Sequence, residues 1–572
     1  MPNGVSARAR AGLLAIVSLG IAWGLVMHAM GWAQLSSYAQ VRALAAGRSE
    51  IDRWQWETRD KAWVGGHFYS VKAPGLAALT LPAYLALDAA GAKTVARDAA
   101  ANARLADRPR WDPPEQPDLS QYAYSAARAH RVEIRIEHET PIVWALTLVG
   151  AVIPAIALLL LVRWVTERIE PGYGTAAAIT LGLGTIVFTF ASEYFSHVIA
   201  ATLGFAAFAL LFREREGPAR TGLVGAAGLL AGLAVSFEYP LGLLAAILFA
   251  YALAPPRWLR RWRRAAAYAA GAAIGAAPAL AFNWWALGSP LRFAYSHAVA
   301  VQGLTGHAVL GLNSSGFFGI DLPRPGAALD LLVASRGLVT LTPVLVVAVV
   351  GALTLRKRGR AAEAAVIGAV AITYFVYDAG YWLPFGGGSP GPRFLIPALP
   401  FLAIGLASAY RRLPALTLAL AIPSVTFMVA GALTYPLIGD NGTGVWANQL
   451  GGGTLEHTLL TVLGVRNCWL AVAPVLAAVA TAITFAALAT APTRLGNVRP
   501  ALAAVLGWAV VSIVGPTVAG DPVTPLDDGP AALSLIAAGV LAAFTVLLAL
   551  RYRERRAERT LDGLAVETTT TT

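Results

Sequence analysis

The stretch Pro141-Ile-Val-Trp-Ala-Leu-Thr-Leu-Val-Gly150-Ala-Val-Ile-Pro-Ala-Ile-Ala-Leu-Leu-Leu160-Leu-Val-Arg163 decides the fold class. No charged side chain interrupts Ile142–Val162, and an arginine ends the run. At about 1.5 Å rise per residue, a helix of this length crosses a hydrocarbon core of about 30 Å. The same pattern recurs along the chain. Candidate spans cover residues 11–31, 142–163, 174–191, 193–212, 221–236, 239–254, 265–286, 331–355, 362–379, 394–410, 413–436, 468–490, 500–519 and 530–550. The expectation is an all-α polytopic membrane protein with about fourteen transmembrane helices.

Composition agrees. Of 572 residues, 57% are hydrophobic and 13% charged, against roughly 25% charged in soluble domains; the mean hydropathy is +0.60. These values exclude a solvent-exposed globular enzyme, a disordered chain and a nucleic-acid-binding module. The formal charge of +12 sits largely in arginine clusters directly after apolar runs, such as Arg257, Arg260, Arg261, Arg263 and Arg264, which is the positive-inside pattern. The single cysteine, Cys468, leaves no intrachain disulfide and no CxxC site. Arg8 and Arg10 precede the run Ala11–Gly31, which reads as a first span rather than a cleaved signal.

Parity sets the topology. If the short apolar stretch Leu76–Leu87, which holds Pro82, does not span, the clusters at 163–168, 213–220, 257–264, 356–360, 411–412 and 551–559 all share the N-terminal side. That side is then cytoplasmic, and both termini lie there. Leu76–Leu87 is expected to lie in, or dip into, the opposite interface. Residues 32–141 form a large external loop and 284–330 a second one. Residues 411–552 carry the last spans, and 553–572 read as a cytoplasmic disordered tail.

The first loop is richest in chemistry. Glu50-Ile-Asp52-Arg-Trp-Gln-Trp-Glu-Thr-Arg-Asp60-Lys61 is followed by His67-Phe-Tyr69-Ser-Val-Lys72-Ala-Pro74-Gly75. Asp52 and Asp60 are candidate bases. Lys72 opens a helix in a Lys-x-Pro-Gly turn, where free N–H groups and the helix dipole also favour an anion. Glu193-Tyr-Phe-Ser-His197 and Glu238-Tyr239-Pro240 join pairs of spans, and ionisable groups at such depth face a cavity or one another. Arg393 follows the Gly/Pro loop Tyr381–Pro392 and opens a span at the same depth, where its fork suits phosphate; the glycines of that loop would let it approach a flat ligand. His197 has no local metal motif. Asn313-Ser-Ser and Asn441-Gly-Thr fit the glycosylation pattern.

These blocks, in this order, resemble the GT-C superfamily of membrane glycosyltransferases, in particular bacterial relatives of protein O-mannosyltransferase and lipid A aminoarabinose transferase. Tyr69-Ser-Val-Lys72-Ala-Pro74 is similar to that family's Tyr-x-x-Lys-x-Pro element, and Asp52-Arg53-Trp54 to its Gly-Asp-Trp-like turn. Asp60-Lys61, Ser196-His197, Glu238-Tyr239-Pro240, Arg336-Gly337-Leu338 and Gly391-Pro392-Arg393 extend the likeness over residues 10–410. The chain departs where the family carries an acidic residue after the first span: Gln34-Leu-Ser36-Ser37 stands there.

The resemblance implies a bacterial cytoplasmic-membrane enzyme whose active site faces outside. Such an enzyme moves a sugar from a polyprenyl-phosphate donor to a lipid, glycan or protein acceptor. Lys72 and Arg393 would bind the donor phosphate, and Lys61, Tyr69, His197, Glu238 and Tyr239 the substrate. Asp52 or Asp60 would serve as base. No metal-ligand residues are assigned, and a divalent metal is the one cofactor left open. A flippase for a lipid-linked precursor and a non-catalytic lipid-binding relative remain as alternatives.

Overall fold

The computed structural model describes residues 2–28, 30–58, 60–102, 126–254, 261–298, 319–434, 436–437, 443–521, 524–527 and 529–570. Arg257, Arg260, Asn313 and Asn441 lie outside them. Among the described residues the chain is a helical bundle with only two short antiparallel ribbons, Val26–Met27 with His457–Thr458 and Lys61–Val64 with His67–Ser70. Among the described residues ten helices are long and apolar enough to cross a membrane, from Ala7–Leu25 to Pro530–Arg559, and twelve if two bent pairs each count as one span.

The expected fourteen spans differ from this at identifiable places. Residues 331–355 form no single span: Pro325–Leu341 and Val344–Arg358 meet at 88°. Pro343 lacks the N–H a continuing helix needs and drives the preceding Thr342 out of the helical region, to φ −134°. Residues 174–191 divide into Gly174–Leu183 and Val187–Ser192 around Gly184. The helix Leu241–Leu253 has 13 residues, about 20 Å at 1.5 Å each. Leu76–Leu87 falls within Gly75–Ala89, which turns by 84° into Ala92–Ala101.

The expected polar loop after the first span begins with a helix, Trp32–Ala45, in which every residue from Ala33 to Ala43 is buried. A helix buried all round is core. Its one cation, Arg42, is paired with Glu57 and Glu139 and lies 4.2 Å from the Tyr38 ring centroid. At the chain's other end the last helix continues to Thr570, where a disordered tail was expected. Arg551 pairs with Glu554 one turn on, at 2.5 Å, in a stretch of strong helix formers.

Small residues bring two helices into backbone contact. A Cβ added at Gly228 would stand 2.1 Å from the Tyr268 carbonyl oxygen, and one at Gly232 2.1 Å from that of Ala272. Gly271 and Gly275 answer from the facing helix, Arg261–Leu287. This is small-xxx-small packing, and it holds the helix Thr221–Phe237, with Glu238 at its end, against its neighbour. Gly232→Leu is expected to lower the melting temperature by several degrees in detergent, since overpacking costs about 1–3 kcal/mol or more. A melting curve superimposable on the wild type would show that the contact carries no stability.

Arginines of the clusters expected on the N-terminal side pair with carboxylates on other helices. Several are tied to buried carboxylates. Arg264 makes a two-pronged contact with Glu214 at 2.6 and 3.0 Å. Glu170 accepts from Arg411 at 2.8 Å, Arg412 at 2.7 Å and Ser408 at 2.8 Å, and also from Arg358.

Candidate anion site at the hairpin end

The hairpin turns at Gly65 and Gly66, both at positive φ, as a two-residue hairpin loop requires. Register pairs Lys61 with Ser70, Ala62 with Tyr69, Trp63 with Phe68 and Val64 with His67. Successive side chains on a strand point to opposite faces, and that alternation sorts the sequence candidates.

On one face Lys61 is buried. Its ammonium donates to the Gln55 carbonyl at 2.7 Å and lies 4.9 Å from the Phe68 and 5.3 Å from the Trp56 ring centroid. Lys61 therefore ties the Asp52–Glu57 turn to the hairpin and does not reach the site it was expected to line. Burial pushes its ammonium down to about 7. The folded pKa thus lies below the unfolded value of about 10.4, so the folded state gains stability as pH rises through the interval between them. Below pH 7 the cost of the buried cation is present in full. Lys61→Met is expected to raise the melting temperature most at pH 6, with the gap narrowing steadily above pH 7 and closing only toward pH 10; a gap independent of pH would overturn this account.

Tyr69 and His67 point the other way. The Asp52 carboxylate accepts from the Phe68 N–H at 2.6 Å and pairs with His67 Nδ1 at 2.7 Å, with 41% of its side chain exposed. This pair holds His67 above its ordinary pKa through the hydrogen bond and charge of Asp52. Tyr69 is hydrogen-bonded to Ser49, within the field of Glu50 and Asp52. The structure thus places Asp52 and Tyr69 on the outer surface of the hairpin, apart from Lys72.

Asp60 is the carboxylate that turns inward. Its Oδ2 lies 2.7 Å from Lys72 Nζ, and both side chains are largely buried. Ser36, in the helix Trp32–Ala45, donates to the Asp60 carbonyl at 2.5 Å and sits 2.8 Å from the Ser70 hydroxyl, which in turn accepts from the Lys72 N–H at 3.1 Å. Two serines with no signal of their own in the sequence therefore fix the Asp60–Lys72 pair.

Lys72 and Arg393 stand 321 positions apart in the sequence, yet their charges act on the same two groups, His197 and Glu238. His197 Nδ1 is 3.1 Å from Glu238 Oε1, and Ser196 donates to the same oxygen. The hairpin closes the distance: Ala62 forms an isolated bridge with Ala298 and packs, with Val71, against Trp382. Tyr239 points away, its hydroxyl 3.4 Å from Asn283 Oδ1 and its ring against Phe293. Tyr295, which the sequence reading passed over, meets Tyr381 through their hydroxyls, and the Tyr381 ring packs on Phe394 next to Arg393.

Arg393 is held by its surroundings. Its guanidinium carbon lies 5.8 Å from the Phe195 ring centroid and 5.4 Å from that of Phe394. A Cβ at Gly386, where φ is +75°, would fall 2.6 Å from Arg393 Nε. At Gly386 the Gly/Pro loop thus makes room for the arginine side chain. Arg336 pins that loop by donating to the Gly387 carbonyl at 2.7 Å. Among the described residues Arg393 Nε is buried with no hydrogen-bond partner.

No group of three or more His, Cys, Asp or Glu among the described residues is placed to hold a metal ion. Asp60 pairs with Lys72, and Glu238 with His197 and Ser196.

No family profile matches the chain. No curated protein matches it. Among solved structures it is similar to the crystal structure of ArnT from Cupriavidus metallidurans bound to undecaprenyl phosphate, at 14% identity and a TM-score of 0.43, covering 92% of this chain and 86% of that one. The apo form of the same protein gives 14% identity and a TM-score of 0.38, covering 83% and 75%.

Proposed function

We propose that the chain is a membrane glycosyltransferase that takes a sugar from a polyprenyl-phosphate donor and passes it to an acceptor on the outer face of a bacterial cytoplasmic membrane. One observation carries the reading: Arg393 lies against Phe195 and Phe394, whose rings also contact His197 of the His197–Glu238 pair, and its buried Nε has no acceptor among the described residues. A buried guanidinium N–H left unpaired is costly, and an anionic ligand would satisfy it. Arg393 and Lys72 both stand at the ends of apolar helices, so a bound phosphate would lie at headgroup depth with its isoprenoid chain in lipid. As the sugar leaves, the two charges would stabilise the phosphate that takes the bonding electron pair. Asp60 acts here as the group that positions Lys72. The sequence resemblance of Tyr69–Pro74 and Gly391–Arg393 to GT-C transferases points the same way.

The test is release of polyprenyl phosphate from a panel of polyprenyl-phosphate monosaccharides by the purified chain in nanodiscs, with total membrane lipids as acceptors. Release and sugar transfer are expected from at least one donor. Donor binding without any transfer would replace this reading with that of a carrier. The outward orientation is tested in a Cys468→Ala background on intact cells. A membrane-impermeant maleimide is expected to label Asp98→Cys and spare Arg356→Cys, and the reverse pattern would invert the topology.

A further inference from the structure

A small polar pocket lies one turn of the helix Trp32–Ala45 from the Asp60–Lys72 pair. Its free space is about 10 Å³, room for a water-sized group, and Gln34, His28, Thr140, Trp144, Ser192 and Glu193 are among its lining residues. Polar groups this deep among apolar helices face a cavity or one another. Here the arrangement is built, residue by residue. Gln34 sits in the first turn of Trp32–Ala45, and its Oε1 accepts from the Gly31 N–H at 3.0 Å. That bond fixes which way the amide points, so its Nε2 donates to the Glu193 carboxylate, and both residues are buried. His28 Nε2 lies 2.7 Å from the Ser192 hydroxyl. The pairing of Val26–Met27 with His457–Thr458 brings Glu456 to 4.0 Å from His28 Nδ1. The wall carrying Thr140 and Trp144 runs into a π-helical turn, Leu148–Val152, a distortion that often accompanies a functional site.

The chain between the two sites is short. Glu193 lines the pocket, Tyr194 bonds Thr80 at 2.7 Å, Phe195 lies under Arg393, and Ser196 and His197 bond Glu238. Four residues of extended chain reach at most about 14 Å. The first turn of Trp32–Ala45 also bridges them, with Gln34 at Glu193 and Ser36 at Asp60.

We propose that this pocket receives the hydroxyl group of the acceptor and that Glu193, oriented by Gln34, is the catalytic base. The inference rests on the transferase reading and adds to it the residue that removes the proton. Asp60 is spent on Lys72 and does not line the pocket, whereas Glu193 does. In the step, the acceptor oxygen forms a bond to the anomeric carbon while that carbon's bond to the phosphate oxygen breaks. The phosphate leaves with the electron pair toward Lys72 and Arg393, and the hydroxyl proton passes to Glu193. The chain thus carries an amide where the resembled family has an acid after the first span, and a carboxylate hydrogen-bonded to that amide.

The test uses the full chain in nanodiscs with the same donor panel and total membrane lipids. Glu193→Gln is expected to bind polyprenyl phosphate as the wild type does and to lose transfer by at least about 100-fold, the usual contribution of a general base. Azide, a nucleophile with no proton to give up, is expected to restore donor cleavage as glycosyl azide in Glu193→Gln. Glu193→Asp is expected to recover part of the transfer. Wild-type transfer rates in Glu193→Gln would overturn the proposal, and so would a loss of donor binding with no azide product, which marks a structural role. A wild-type chain that cleaves no donor would instead sink the transferase reading itself, and the base with it.

Discussion

Arg393→Met is expected to weaken binding of polyprenyl phosphate by about 10- to 150-fold while leaving the protein at least as stable as the wild type. The two effects have one cause. Arg393 Nε is buried without a partner among the described residues, and an unsatisfied buried donor costs about 1–3 kcal/mol. Methionine fills the space between Phe195 and Phe394 and carries no donor to satisfy. The binding loss corresponds to a charge-assisted hydrogen bond of roughly 1.5–3 kcal/mol, at about 1.4 kcal/mol per tenfold. Arg393→Lys keeps the charge and loses the planar fork, so it should recover only part of the affinity. Titration of polyprenyl phosphate into each variant, with thermal melts alongside, checks both halves. Undiminished affinity in a folded Arg393→Met protein would remove the phosphate site. Lys72→Met needs Asp60→Asn beside it, because removing the lysine alone strands the Asp60 carboxylate in a largely buried position.

Glu170→Ala is expected to cause the largest loss of stability of any single change considered. The carboxylate is fully buried and accepts from Arg411, Arg412, Arg358 and Ser408. Those groups come from the last turn of the helix Val344–Arg358 and from the helix Leu399–Arg412, so one side chain joins three parts of the bundle. Breaking a buried pair by removing one partner costs about 3–5 kcal/mol, and here three like charges would be left facing each other. Burial by itself would push the Glu170 carboxyl up, but the hydrogen bonds from Arg412, Arg411 and Ser408 outweigh it and hold it below the usual value. A depressed folded pKa means the stabilisation is present above about pH 4.3 and disappears as pH falls through the folded value. Folded yield and melting temperature of Glu170→Ala and Glu170→Gln check the claim, with the alanine variant expected to fare worse. Wild-type melting in both would show the cluster to be ornamental.

Much of the architecture follows from local pattern alone. A charge-free run such as Ile142–Val162 ended by Arg163 declares a helix across lipid whatever surrounds it, because the solvent imposes the requirement residue by residue. Depth is legible in the same way: Lys72 before Pro74-Gly75 and Arg393 after a Gly/Pro loop both stand where an apolar helix begins. Breaks are less legible. Pro343 ends one helix and opens another at 88°, but a proline within an apolar run is also compatible with a kinked span, and only packing chooses.

The site's assignments belong to the tertiary structure. Asp52 and Asp60 are equivalent candidates in a linear reading, eight positions apart in one loop. The hairpin's side-chain alternation and its bridge to Ala298 send Asp60 to Lys72 and leave Asp52 with His67 at the surface. The same alternation turns Lys61 into an aromatic cluster one residue from Asp60. Gln34 and Glu193 are separated by 159 positions, and nothing at either position announces the other. Composition and periodicity report what each residue needs from its solvent, which is a short-range demand. Which carboxylate meets which cation depends on backbones brought together from opposite ends of the chain, and that is settled only when the helices pack.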